Sequence, residues 1–138
     1  MFRDIIESAS NSQLNTPTAM PILYVSGVTV TTSQANLEGL VKALQKVTSE
    51  ALGDITARQV SVFFPQDLCL AGLGEEIIVS IQCLRQKPNR TDDVLSRVAI
   101  KVAETVKIWF REAKIVECYI LTQDPRYAHT IETNTPAL

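Results

Sequence analysis

The chain has 138 residues, 46% of them hydrophobic and 20% charged, with a formal net charge of −2. A domain of this length buries roughly two-thirds of its unfolded surface and needs no disulfide or metal to hold it, and its acidic balance disfavours nucleic acid or an anionic membrane as a partner. No apolar run approaches the roughly 20 residues that cross a bilayer, and Asp4 and Glu7 interrupt the stretch a secretion signal would need, so the expected location is the cytoplasm.

Residues 1–20 stand apart as a polar N-terminal extension. Ser8 to Ala19, "SASNSQLNTPTA", has few apolar anchors to offset its ordering entropy. From Pro21 the pattern sharpens. Pro21 to Gly27 reads as a strand, and Thr32 or Ser33 then caps a helix. The stripe of that helix is Leu37, Leu40, Val41, Leu44, Val47 and Ala51, in steps of three and four, and Gly53 stops it. Arg58 to Phe64, "RQVSVFF", is a second strand closed by Pro65.

After a glycine-bearing connection, "LCLAGLGEE", the order repeats. Glu76 to Leu84 is a strand, and Thr91 caps a helix with Asp92 and Asp93 at the positive end of its dipole. Its stripe is Val94, Leu95, Val98, Val102, Val106 and Trp109, with Trp109 and Phe110 expected in the core. Lys114 to Thr122 is the fourth strand, and residues 126–138 form a C-terminal tail. The fold class is therefore α+β: two βαβ repeats, residues 21–125, giving a four-stranded sheet with two right-handed crossover helices on one face. Strands two and three are apolar on nearly every residue, so the helix-free face needs a cover. Association with further copies of the chain supplies one.

Cys69, Cys83 and Cys118 have no metal-like spacing, and His129 is the lone histidine, so no metal site is expected. Cys83 and Cys118 sit in strand-like runs and read as small core residues. Asn89-Arg90-Thr91 matches a glycosylation sequon, which has no meaning without secretion. "AGLGEE" lacks the strand-to-helix setting of a phosphate loop, and the adjacent Glu75 and Glu76 would point to opposite faces of a strand. No cofactor is expected.

With this element order, "MPILYVSGV", "VSVFFPQD" and "GLGEEIIV" resemble the tautomerase superfamily. That superfamily includes 4-oxalocrotonate tautomerase, the 5-carboxymethyl-2-hydroxymuconate isomerases and macrophage migration inhibitory factor. The resemblance is greatest to a bacterial branch defined only as a domain of unknown function, and it runs from Pro21 to about Pro125. It implies a homotrimer with active sites at subunit boundaries and an amino-terminal proline as the catalytic base.

A free α-amine titrates at about 7.7–8.0, and burial lowers that, because desolvation disfavours the cation. Such an amine suits moving a proton next to a carbonyl. An interior proline nitrogen is an amide and has no such basicity. Pro21 is thus the base only when it is amino-terminal, as it would be if translation began at Met20 and that methionine were removed; with Met1 as the start the base is missing. The family's strand-two arginine corresponds to Ser61, and the one before its first helix to Thr32, so its carboxylate clamps are absent. Arg58, Arg85, Lys114 and Tyr119 are the substitutes, although a solvated charge or packed ring is the plainer reading of each. The expected function is cofactor-independent proton transfer on a small 2-keto or enol acid. The alternative is a non-catalytic trimeric binding or structural protein.

Overall fold

The computed structural model describes residues 20–66 and 75–123. The polar extension, the glycine-bearing connection with Cys69, and the tail with His129 lie outside those residues.

The elements follow the expected order. Strand β1 is Ile22–Ser26, helix α1 Gln34–Leu52, β2 Ser61–Phe63, β3 Glu76–Arg85, α2 Asp92–Trp109 and β4 Ile115–Gln123. Ser33 caps α1 by accepting from the Asn36 amide, and Gly53 ends it in the left-handed region at φ 80°. Thr91 caps α2 in the same way, accepting from the Val94 amide. At the far end of α2 the Lys107 ammonium donates to the carbonyls of Arg111 and Ala113, a favourable place for a cation.

The strands form one sheet in the order β2-β1-β3-β4. β1 runs parallel to β2, β4 parallel to β3, and the two pairs meet antiparallel where β1 joins β3. Each βαβ unit therefore contributes one parallel pair. Leu23 and Val25 of β1 and Ile77, Val79, Ile81 and Leu84 of β3 face the helices. There they meet Leu40, Leu44 and Leu52 of α1 and Val98, Val102 and Val106 of α2 in one core. Truncating any of these leucines to alanine would cost about 2–5 kcal/mol.

Among the described residues nothing covers the opposite face. Register aligns Phe63, Tyr24, Ser80 and Tyr119 in one row across all four strands. The Tyr24 and Phe63 rings stack at 5.7 Å. Phe63, Tyr119 and Leu121 are 51%, 53% and 55% exposed, too much apolar surface for a finished solvent face.

Four details differ from expectation. The second strand starts at Ser61, not Arg58. Ala57–Gln59 is a 3-10 turn, and the Val60 amide donates to the Ala57 carbonyl. The Val60 carbonyl accepts from the Gln45 side chain at 2.9 Å, so both polar groups of Val60 have partners outside the sheet. Trp109 is 39% exposed instead of core; its indole lies against Gly39 of α1, where a Cβ would collide with it. Thr48 and Ser49, absent from the expected stripe, are buried in α1, and the Thr48 hydroxyl has no hydrogen-bond partner among the described residues. Cys83, read as a core residue, is only half-buried and lies at an irregularity between Ile81 and Leu84, with φ 63°.

Candidate functional site

Pro21 heads β1 and is buried. Its carbonyl accepts from the Ser61 amide at 3.1 Å, which ties it to the first residue of β2. The next residue, Ile22, lies opposite Ser61 on one side and Gln82 on the other. This end of the sheet is therefore where β1 and β2 begin and β3 finishes. In this chain the Pro21 nitrogen is bonded to the exposed Met20 and is an amide.

Two of the four substitute residues come to that end. Arg58 is exposed in the turn that leads into β2, and Arg85 is the exposed last residue of β3. The other two do not. Lys114 precedes β4 at the opposite end, its ammonium 3.7 Å from the Glu75 carboxylate, with both side chains largely in water. Tyr119 sits midway along β4 on the helix-free face, where its hydroxyl donates to Glu117 at 2.8 Å. That hydrogen bond, followed by the charge of Glu117, holds the phenol above its usual range, so Tyr119 is a committed donor and not a base. The positions of the family's arginines are also split. Ser61 adjoins Pro21, whereas Thr32 lies beyond the far end of β1, its hydroxyl 3.1 Å from that of Thr29.

The hollows lie elsewhere. One of about 270 Å³ is bordered by Thr29, Thr32, Leu37 and Phe64, at the end away from Pro21. A larger groove of about 580 Å³ runs between α2 and the edge of β4, bordered by Glu104, Lys107, Ile108 and Lys114. Neither includes Pro21. No set of three metal-ligating side chains is gathered among the described residues. Cys118 is inert as a nucleophile, since burial pushes its thiol up to about 12. No described helix is long and apolar enough to cross a membrane.

One polar cluster beside this end went unseen in the sequence. The Arg90 side chain is only 1% exposed. Its Nε and Nη2 donate to the two Asp54 oxygens at 3.1 and 3.0 Å, and its Nη1 donates to the Arg85 carbonyl at 2.8 Å. Asn89 Nδ2 donates to Asp54 at 3.0 Å, and the Lys87 ammonium stands 3.8 Å away. Burial by itself would raise the Asp54 pKa. The hydrogen bonds from Arg90 and Asn89, with the charges of Arg90 and Lys87, outweigh it and hold the carboxyl below the usual range. The sequence signal was slight: an arginine beside a helix cap, paired 36 positions away.

No family model and no curated protein matches the sequence. Solved structures do match the fold. A fused 4-OT described as a symmetric trimer is 17% identical, with a TM-score of 0.58 over 74% of this chain and 85% of that one. A member of the cis-3-chloroacrylic acid dehalogenase family is 16% identical, with a TM-score of 0.58 over 74% of each chain. A Vibrio cholerae protein of unknown function is 13% identical, with a TM-score of 0.60 over 80% of this chain and 84% of that one. The chain shares its fold with these solved structures.

Proposed function

We propose that the chain, on this tautomerase fold, is a homotrimer that moves a proton on a small 2-keto or enol acid when Pro21 is its amino terminus. The observation that carries the reading is the place of Pro21: buried at the head of β1, and held there by its own carbonyl. That bond to Ser61 does not involve the ring nitrogen, so the strand start does not depend on what precedes it. A free secondary amine at this position is partly desolvated, which favours the neutral base. It takes the proton next to the substrate carbonyl and returns it to another atom, with no cofactor. Arg58 and Arg85, at the same end, are the cations for a carboxylate or a developing enolate oxygen. Lys114 and Tyr119 enter only from a neighbouring subunit. The exposed apolar sheet face and the trimeric fused 4-OT of the same fold support that assembly.

The test compares chains beginning at Met1 and at Pro21 in the keto-enol conversion of an arylpyruvate. The Pro21 chain is expected to turn over, the longer one to stay at background, and Pro21→Ala to lose about 10²-fold or more. Background rates from both chains would overturn the reading. A second reading, a non-catalytic trimeric binding or structural protein, is favoured by the amide at Pro21 and by Ser61 and Thr32 in place of arginines. It is the one that survives if the mass of the protein from its native host includes residues before Pro21.

A further inference from the structure

The geometry points to Arg90 as a positioning residue: anchored on Asp54, it holds the Arg85 carbonyl and so aims the Arg85 side chain at a substrate carboxylate. This rests on the reading above, in which Arg85 grips the acid.

A guanidinium out of water is tolerated only when its donors are matched, and Arg90 spends Nε and Nη2 on Asp54 and Nη1 on Arg85. Asp54 follows the Gly53 cap, so one side chain joins the end of α1 to the end of β3. Holding Asp54 is not the whole role, since Asn89 and Lys87 already serve that carboxylate. Among the described residues it is Arg90 whose side chain supplies the bond to the Arg85 carbonyl.

The strand prepares Arg85 from the other side. The irregularity at Gln82 and Cys83 shifts the alternation by one, so that Leu84 is buried against the helices. Arg85 therefore turns to the helix-free face, at the end where Pro21 begins its strand. With Leu84 fixed in the core and its own carbonyl clamped, Arg85 has a settled backbone and an exposed side chain. Less freedom is then lost when it closes on an anion. Arg58, exposed at the same end, adds a second positive charge.

The test measures phenylpyruvate binding to the full chain by calorimetry, with circular dichroism to verify folding. Arg85→Ala should weaken binding about tenfold, as expected for losing a charge-assisted hydrogen bond. Arg90→Lys keeps the charge but not the fork and should weaken it about fivefold. Asp54→Asn should follow in the same direction. In the Arg85→Ala background, Arg90→Lys should change nothing further, which a merely structural loss would not reproduce. Equal losses with and without Arg85, no effect of Arg90→Lys, or no binding by the unsubstituted chain would each overturn the proposal. Binding needs no free amine, so failure of the Pro21 chemistry shows separately, as absent turnover with binding retained.

Discussion

Cys83 is the strained residue of the sheet. Its φ of 63° is the left-handed region, which costs a side-chain-bearing residue about 1–2 kcal/mol. Cys83→Gly should therefore stabilise the protein by about 0.5 kcal/mol, after allowing for the greater freedom of glycine in the unfolded chain. Cys83→Val should destabilise it by about 1–2 kcal/mol, because a β-branched residue fits that region worst. Urea unfolding orders the three variants, and a valine variant as stable as the parent contradicts the account. Asp54 makes a prediction of a different kind. Its folded pKa is depressed, so its contribution is complete above the unfolded value of about 3.9 and disappears as pH falls through the lower folded value. Asp54→Asn should cost about 2 kcal/mol at pH 7, since it leaves the buried Arg90 without its counter-charge. The gap to the parent should close in acid. A gap that persists at the same size below pH 3 would mean that the carboxylate charge is not what stabilises the loop.

The helix pair depends on a glycine with ordinary dihedrals. Gly39 lies under the Trp109 indole, and α1 and α2 approach there because no Cβ intervenes. Alanine would raise helix propensity by about 1 kcal/mol but would push the ring outward. Gly39→Ala should consequently red-shift the emission of Trp109, the single tryptophan, with little change in helix content. An unshifted spectrum would show that the ring does not use that seat. The strands divide similarly between local and distant causes. The alternation of β3 was visible in Ile77, Val79 and Ile81, but the phase shift before Leu84 was not, because only its pairing with β4 reveals it.

Across the whole molecule, the helix-free face is the ground for the proposed assembly. Phe63, Tyr119 and Leu121 are over half exposed in one subunit and lie on one side of the sheet. Full burial of an aromatic or leucine side chain is worth about 1.5–3 kcal/mol each, enough in sum to drive association. The parent chain is expected to sediment as a trimer, and Phe63→Lys together with Leu121→Lys to shift it toward monomer. A parent that stays monomeric and soluble at high concentration would refute the cover. Pro21, Arg58 and Arg85 lie at one end of the sheet, while Lys114 precedes β4 at the opposite end and Tyr119 sits midway along β4.

Much of the fold was legible in the residues themselves. Ser33, Gly53 and Thr91 announce helix ends because a cap acts within a few positions, and the stripes around Leu40 and Val102 follow from the helical period. Pro21, Arg58 and Arg85 could be named as candidates, but not which of them share an end, since that depends on register. The sequence by itself determined the two βαβ units and their core faces. Only the tertiary structure decided where β2 begins, which way Arg85 turns and what Arg90 holds. Periodicity and capping are short-range and repeat along the chain, whereas the Gln45 bond to Val60 and the Asp54 pair with Arg90 join residues 15 and 36 positions apart, which no local pattern encodes.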